Sequence, residues 1–182
     1  MSQFDLTLEA GVARAPVERP QSVPTTAART PAQLFARLRR YPFGARLFSY
    51  AVCRRAPYFG SISPLFRELR SGHAEVTVRN RRKVHNHLGT VNAIAMCAMC
   101  ELAAGTMLES SLPRGLRWIP RGMTVRYLKK AATDLSAVAE LSAPIDADFS
   151  GDIVVPVRVH DRSGETVMEA DITMYVSPRK GA

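Results

Sequence analysis

The chain has 182 residues, 46% of them hydrophobic, which is enough for one domain with a real core and an appendage. Its three cysteines are too few for a disulfide scaffold and indicate reduced thiols in a cytoplasmic protein. The net charge of +9 comes from residues 31–90, where twelve Lys and Arg face only Glu68 and Glu75. That excess implies an anionic partner, a phosphorylated ligand or a membrane surface; nucleic acid has no support beyond charge, and we expect none.

The N-terminal third predicts a tail and two basic helices. Residues 1–30 have little periodic apolar character and indicate a mobile tail, and Asp5 and Glu9 lie where a signal peptide would need positive charge. Thr30-Pro31 resembles an N-cap with proline at the first helical position, and predicts a short helix. A second apolar and basic segment runs from Phe43 to Arg55. The predicted units are the tail (1–30), N-terminal basic helices (31–58) and a main domain (59–182).

The main domain predicts several strands around one helix. Alternating apolar residues predict strands at His73–Lys83, Met123–Leu128, Leu135–Leu141, Ile153–Val159 and Thr166–Val176. Pro156 within the fourth of these runs predicts an edge position or a bulge. The segment from Thr90 to about Ser110 is apolar all round and predicts a helix buried on every side. This order predicts an α+β fold in which a curved antiparallel sheet wraps around a long central helix.

A membrane span is the weaker interpretation of that apolar helix. Val91–Leu108 is long enough and carries one charge. Asn92 and Glu101 would nevertheless be costly in lipid, and the alternating strands need a core to cover. We therefore expect the helix to lie inside the protein.

Two motifs resemble the hotdog-fold acyl-CoA thioesterases, namely Asn86-His87-Leu88-Gly89-Thr90-Val91-Asn92-Ala93 followed by Glu101, and Val125-Arg126-Tyr127-Leu128-Lys129-Lys130-Ala131. The likeness is to the phenylacetate-type and hydroxybenzoyl-CoA branch, and to a hotdog family of uncharacterised bacterial proteins. It covers roughly residues 60–178. It implies a hotdog fold, a homodimer or a dimer of dimers, and an acyl-CoA or acyl-carrier substrate. No metal or cofactor is implied, apart from coenzyme A as part of the substrate.

The resemblance also implies roles for four residues. Asn92-Ala93 stands where the family has a His-Gly or similar pair, whose backbone N–H polarises the thioester carbonyl. Glu101, nine residues after Asn92, stands at the carboxylate that acts as nucleophile or general base. Asn86, six residues before the pair, stands at an amide that touches the thioester. The plainer interpretations are that Glu101 pairs with a buried arginine and that Asn92 only caps the helix.

This chain departs from the family's pattern at the pair itself and beyond the carboxylate. Asn92 replaces the common His, and Ala93 replaces the common Gly. Some members place Ser or Thr four residues after the carboxylate, where this chain has Gly105 followed by Thr106. The alternative function is therefore a non-catalytic protein that binds acyl-CoA or an acyl carrier.

Helix geometry predicts that the site is shared between two subunits. Nine residues at about 1.5 Å each separate Asn92 from Glu101 by roughly 13 Å along the axis. At about 100° per residue the two also lie on opposite faces of the helix. Two antiparallel central helices from two chains could bring one Asn92-Ala93 pair to one Glu101, so we expect at least a dimer.

The remaining polar and basic residues have a functional and a plainer interpretation. Basic side chains near the motifs are predicted to meet the CoA phosphates, although such runs are usually solvated surface. A basic amphipathic membrane contact is a further hypothesis, with Phe35, Leu38, Phe43, Leu47 and Phe48 on its apolar side. No metal-ligand spacing is present, and Cys97 and Cys100 are predicted as core. The predicted substrate-binding residues are His87, Gly89, Thr106, Arg126, Lys129, Lys130 and Arg82.

Overall fold

The computed structural model describes residues 30–179 and contains three α-helices and six strands. The helices are α1 (Pro31–Leu38), α2 (Gly44–Arg55) and α3 (Ala93–Ser111), with 3-10 turns at Pro57–Ser61 and Arg82–Val84. The strands are β1 (Leu65–Arg70), β2 (His73–Val78), β3 (Leu116–Tyr127), β4 (Leu135–Glu140), β5 (Gly151–His160) and β6 (Thr166–Pro178). They form one antiparallel sheet in the order β1-β2-β4-β5-β6-β3. The predicted α+β fold is confirmed, whereas the predicted tail lies outside the described residues except for Thr30.

The sheet's apolar face packs on α3. In β4, Leu135, Ala137 and Ala139 are buried while Ser136 and Val138 between them are half-buried, as alternation along a half-covered strand requires. The central helix supplies Met99 and other fully buried side chains to the same core. The curved sheet therefore wraps around α3, which is the arrangement the sequence predicts.

The central helix begins at a clear capping residue, but one of its faces is open. The Asn92 Oδ1 accepts a hydrogen bond of 2.8 Å from the Ile94 N–H and caps the helix. By length and apolarity α3 is the one helix among residues 30–179 that could cross a membrane, and most of it is buried inside the protein. Ile94 is nevertheless 62% exposed, and Cys97 and Glu101 are half-buried. Burial on every side, as predicted, is therefore wrong for this face.

The N-terminal helices share the core of the sheet. Thr30 and Gln33 form a capping box at α1 through bonds of 3.1 and 3.3 Å. The Phe48 ring of α2 meets Phe35 and Phe66 edge to face, each at 5.1 Å between centroids. Phe35 and Phe48 are therefore core side chains. Their assignment to a membrane contact is wrong.

The strand boundaries differ from the predicted ones where the sheet is irregular. Strand β1 was not predicted, because a register shift between Phe66 and Glu68 breaks its alternation. Strand β3 begins at Leu116 rather than Met123, because a similar shift follows Pro120. Strand β2 ends at Val78 rather than Lys83.

The proline in β5 occupies the position that the sequence predicts. Strand β5 lies inside the sheet, but β4 pairs only with residues 157–160 of it. Pro156 therefore has a strand partner on one side alone, where it pairs with Asp171 of β6. Because no strand within residues 30–179 lies on the other side at this position, the missing N–H of proline does not remove a hydrogen bond between strands.

Candidate functional site

The start of α3 is fixed by hydrogen bonds to two neighbouring segments. The Asn92 N–H donates to the Val84 carbonyl at 2.8 Å, and the Val91 N–H donates to the Ala131 carbonyl at 2.9 Å. Asn92 is extended, with φ −63° and ψ 141°, and its side chain caps the Ile94 N–H. Among residues 30–179, the N–H of Ala93 has no acceptor. A free N–H at the positive end of a 19-residue helix can bind a carbonyl oxygen or an anion.

The loop before the helix is organised by Asn86. Its Oδ1 accepts hydrogen bonds from the Leu88 N–H at 2.9 Å and from the Thr90 N–H at 3.2 Å. Its Nδ2 donates to the Thr90 Oγ1 at 2.9 Å. Gly89 closes this turn with φ +73°, a conformation that suits glycine. The loop therefore presents His87 and Gly89 to solvent, and the Asn86 amide is used within the loop.

Glu101 lies on a stripe of α3 that faces strand β3. Residues four apart share a helix face, so Cys97, Glu101, Gly105 and Glu109 follow one another along it. The Cys97 Sγ lies 3.4 Å from the Tyr127 hydroxyl near the end of β3. A side chain at Gly105 would meet the ring of Trp118 near the start of β3, within 2.6 Å. Glu101 therefore lies between two contacts that join the helix to the strand.

The Glu101 carboxylate is half-buried and has no partner within residues 30–179. Neither an ion pair nor a hydrogen bond engages it there. The arginine pair of the plainer interpretation is therefore not present in the described part of the chain. A carboxylate without a partner on an apolar face is available to a water molecule or a ligand.

Asn92 and Glu101 do not meet within one chain. Nine residues, nearly half the length of the helix, separate them along its axis. The same nine residues turn the helix so that the two side chains lie on opposite sides of it. Ile94 does share the face of Glu101, because seven residues turn a helix through almost two full turns. The open face of α3 thus carries an exposed apolar side chain about two turns before the carboxylate.

The strand next to this face is an open edge of the sheet. Strand β3 pairs with β6 on one side, and no strand within residues 30–179 pairs with its other side. Ile119 is 56% exposed and Tyr127 is 49% exposed on it. A long unpaired edge with exposed apolar side chains is a site where another chain can add its own strand.

The predicted substrate-binding cations cluster only in part. Arg126 pairs with Glu169 at 2.6 Å, and that bond raises the pKa of the guanidinium. Lys129 pairs with Glu165, whereas Lys130 and Arg82 are exposed without a partner in the described residues. The Ala131 carbonyl next to Lys130 accepts from Val91, so these cations border the start of α3.

Thr106 lies on a different face of α3 from Glu101. Five residues turn the helix by about 140° beyond a full turn. The next residue on the face of Thr106 is Ser110, whose Oγ accepts from the Ala32 N–H at 3.2 Å. Thr106 is therefore directed toward α1, and its contact with substrate stays a prediction.

Sequence reasoning missed Trp118 as a neighbour of this face. Its Nε1–H donates to Glu109 at 2.8 Å, and its ring fills the space above Gly105. The irregular segment after Pro120 hid the start of β3, so no pattern linked Trp118 to the helix. No cluster of three or more metal-ligating side chains occurs in residues 30–179.

Similar proteins carry the same fold. Residues 44–176 match the family model described as Domain of unknown function (DUF4442), and no curated protein matches the chain. The structural-genomics protein APC5556 is 50% identical with a TM-score of 0.72, over 82% of this chain and 99% of that one. A Pseudomonas aeruginosa protein of unknown function, described as a probable thioesterase, is 19% identical with a TM-score of 0.64, over 76% and 97%. A Bacillus halodurans protein, BH2602, solved with CoA, is 27% identical with a TM-score of 0.51, over 57% and 66%.

Proposed function

Since the chain belongs to the DUF4442 family and has the hotdog fold of the thioesterase superfamily, we propose that it hydrolyses an acyl-CoA thioester at a site shared between two subunits. Several proteins of similar structure are described as thioesterases. One is described with bound CoA. These descriptions support the reaction class and the CoA part of the substrate.

One observation carries the proposal, namely the Glu101 carboxylate without a partner on the open face of α3. A buried or half-buried carboxylate is normally paired, because removal from water is costly. Leaving it unpaired is a feature of sites at which a carboxylate must bind water or attack a substrate. The free N–H of Ala93 supplies the second group that a thioester hydrolase needs.

The two groups account for the chemistry without a metal or a redox cofactor. The Ala93 N–H donates to the thioester carbonyl oxygen and stabilises the negative charge that develops there. Glu101 takes a proton from a water molecule whose oxygen forms a bond to the carbonyl carbon. The C–S bond then breaks, and the proton passes from Glu101 to the leaving CoA sulfur. The products are a carboxylic acid and free CoA, and Glu101 is again ionised.

A second copy of the chain would complete the site. Pairing of two β3 edges would join two sheets and bring the open faces of two α3 helices together, with Ile94 between them. Antiparallel helices related by a two-fold axis place Ala93 of one subunit near Glu101 of the partner subunit. The isologous contact produces two identical sites, and a dimer of dimers would double them.

The loop and basic residues would hold the rest of the substrate. Arg82 and Lys130 are exposed near the start of α3 and are proposed to bind the CoA phosphates, Arg82 through its planar guanidinium and Lys130 through its ammonium charge. Arg126 and Lys129 would have to exchange their glutamate partners for phosphate. His87, Gly89 and Thr106 are proposed to line the acyl or pantetheine part.

The alternative is a protein that binds acyl-CoA or an acyl carrier without hydrolysing it. The Asn86 amide favours this alternative, because it is already committed to Thr90 and Leu88 and is not free to orient a thioester. Asn86 would then act only by shaping the loop that leads to Ala93.

Replacement of Ala93 by proline tests the proposal directly. Proline is favoured at the first position of a helix, and the extended Asn92 before it is compatible with proline. Ala93→Pro therefore removes the N–H while keeping the fold, and should lower the rate of thiol release roughly 10²–10³-fold. Ala93→Gly keeps the N–H and is the matched control.

The measurement is CoA thiol release from acyl-CoAs of increasing chain length, with binding of a non-hydrolysable acyl-CoA followed in parallel. A wild-type protein that binds the analogue but releases no thiol from any chain length would establish the binding alternative. Equal rates for the proline variant and the wild type would refute the role of the Ala93 N–H.

A further inference from the structure

Helices α1 and α2 and the turn between them form a surface without acidic residues. Residues 30–67 contain no Asp or Glu, and every charged side chain in them is an arginine. Large apolar and aromatic side chains are exposed among these arginines. We call this the arginine-aromatic face, and it consists of Leu34, Arg37, Arg39, Arg40, Tyr41, Phe43, Arg46, Leu47, Tyr50, Arg54, Arg55 and Tyr58.

The arginines of this face have no ion-pair partner in the described part of the chain. Several exposed cations elsewhere do pair with carboxylates, as in Arg121 with Asp152 at 3.0 Å. On this face, Arg46 instead lies over the ring of Phe43, 5.4 Å from its centroid. Within residues 30–179, the positive charge of the face is therefore not neutralised by carboxylates.

Phe43 is held outward by a strained turn. It is 73% exposed and has φ +63°, a left-handed conformation that is unusual for a bulky residue. The chain has little freedom here, because a side chain at Gly44 would lie 1.7 Å from the Leu38 carbonyl oxygen. An apolar ring exposed at the tip of a strained turn is a feature that folding alone does not account for.

A cleft opens on the same surface. It has a volume of about 1000 Å³ and lies between α2 and the outer side of strands β1, β2 and β4. Arg46 and Tyr50 of the arginine-aromatic face line it, together with Arg54, Arg67 and Arg79. Arg46 contacts Phe43 and borders the cleft, so the exposed ring and the basic cleft are continuous. Six arginines and two carboxylates, Asp134 and Asp161, line the cleft. Its net positive charge and its size therefore suit a phosphate headgroup.

We propose that the arginine-aromatic face binds the surface of a bilayer that contains anionic phospholipids. Arginines would bind lipid phosphates, and Phe43, Leu47 and the tyrosines would enter the headgroup region, where amphipathic aromatic rings are favoured. This inference does not depend on hydrolysis, although an acyl substrate is itself amphipathic.

Other occupants fit the face less well. A second copy would bring arginines against arginines, with no carboxylate on either face to pair with them. A nucleic acid would bind the arginines through its phosphates, but it would not account for the exposed apolar side chains of Leu47 and Phe43. A bilayer uses both the charge and the apolar side chains.

Vesicle sedimentation of the full chain tests the proposal. The protein should sediment with vesicles of phosphatidylcholine mixed with phosphatidylglycerol, and not with phosphatidylcholine alone. Added salt should weaken binding. Arg46→Glu with Arg54→Glu should weaken it by more than about 10-fold, since each surface arginine is worth roughly 5-fold in membrane affinity.

The matched control reverses two charges at the other end of the sheet. Arg114 follows the end of α3, and Arg158 is exposed on β5 near the β1–β2 turn. Arg114→Glu with Arg158→Glu changes the net charge equally and should keep most of the binding. Equal loss in both double variants, or equal binding to both vesicle types by the wild type, would overturn the proposal.

Phe43→Gly separates membrane binding from folding. Glycine adopts φ +63° without strain, so this variant should melt at a higher temperature than the wild type. It should also sediment less with anionic vesicles, because the inserted ring is lost. Unchanged sedimentation of a well-folded Phe43→Gly protein would contradict the proposed insertion. Binding of soluble glycerol phosphate by a protein that does not sediment with anionic vesicles would show that the cleft binds free phosphate rather than a bilayer, and would also overturn the proposal.

Discussion

The Cys97 thiol lies 3.4 Å from the Tyr127 hydroxyl and joins the second turn of α3 to the end of the edge strand β3. At the other end of the strand, the Trp118 ring covers Gly105. Glu101 lies between these two contacts on the same stripe of the helix. The strand is therefore attached to the helix on both sides of the proposed catalytic carboxylate, which limits how far this edge can move.

The Cys97–Tyr127 contact predicts a pH-dependent stability. The hydrogen bond between Tyr127 and Cys97, with burial, raises the pKa of Tyr127 from 10.0 to about 12. A raised pKa in the folded state means that the contact stabilises the protein fully below about pH 10, and that this contribution is lost as the pH rises toward 12. Cys97→Ala should lower the pKa of Tyr127 toward 10.

Ultraviolet titration of phenolate absorbance measures that shift. Subtraction of the Tyr127→Phe curve from the wild-type curve isolates Tyr127 from the other tyrosines, and the same subtraction in the Cys97→Ala background gives the comparison. A difference step that stays at the same pH after Cys97→Ala would show that the thiol does not control this hydroxyl.

The contact between Gly105 and Trp118 predicts that replacing Gly105 with alanine destabilises the protein, although alanine normally stabilises a helix relative to glycine. A Cβ at residue 105 would lie 2.6 Å from the Trp118 ring, and such overpacking costs about 1–3 kcal/mol. The gain from alanine over glycine in a helix is only about 0.5–1 kcal/mol. Gly105→Ala should therefore lower the free energy of unfolding by about 1–2 kcal/mol, as measured by urea denaturation.

Trp118→Phe supplies the coupling test for that prediction. The smaller ring leaves space for the added methyl group, so the double variant should be more stable than the sum of the two single effects predicts. Additive effects would mean that the Trp118 ring is not what opposes a side chain at residue 105.

Much of the fold could be predicted from the spacing of apolar residues within each strand and helix. Alternation gave β4, β5 and β6 to within a few residues, and the uniformly apolar α3 was placed in the core. The errors occur where a bulge breaks alternation, as before Glu68 and after Pro120. The end of β2 was missed because Asn80 leaves the sheet to bond the Asp134 carboxylate at 2.8 Å and the Ala132 carbonyl at 2.6 Å. That long-range contact has no local signal.

The candidate site could be predicted only as a list of residues. Spacing predicted that Asn92 caps a helix and that Glu101 lies on the far side of it, and the structure confirms the cap and the opposite placement. It could not predict that the Asn86 amide is occupied by Thr90, because that bond depends on the turn at Gly89. The open face of α3 beside β3 depends on the order of the strands in the sheet. The spacing of apolar residues within a strand does not determine that order.

Glu101→Gln tests the catalytic assignment. Glutamine keeps the shape of the side chain but cannot take a proton from water, so thiol release should fall roughly 10²–10⁴-fold. The melting temperature should stay equal or rise, because no partner of Glu101 within residues 30–179 loses an ion pair. Rate and melting temperature are measured on the same preparation.

Glu109→Gln is the matched control for Glu101→Gln. Glu109 lies two turns further along the same stripe and accepts a hydrogen bond from the Trp118 indole, which glutamine can also accept. Its variant should keep the wild-type rate. An active but unstable Glu101→Gln protein would instead identify Glu101 as a structural carboxylate with a partner in the assembled protein.

Mixed dimers test whether the site is shared between subunits. If Ala93 of one chain works with Glu101 of the partner, co-expressed Ala93→Pro and Glu101→Gln chains should recover activity that neither has alone. About a quarter of the wild-type rate is expected, because half of the dimers are mixed and each of those has one intact site. Differently tagged chains allow the mixed dimer to be purified, and co-expression of Glu101→Gln with Glu101→Ala is the control that should recover nothing. A purified mixed dimer that releases no thiol would mean that the shared-site proposal has to be abandoned. Eight helical residues separate Ala93 from Glu101 by about 12 Å along the axis, so a site within one chain could not use both groups either.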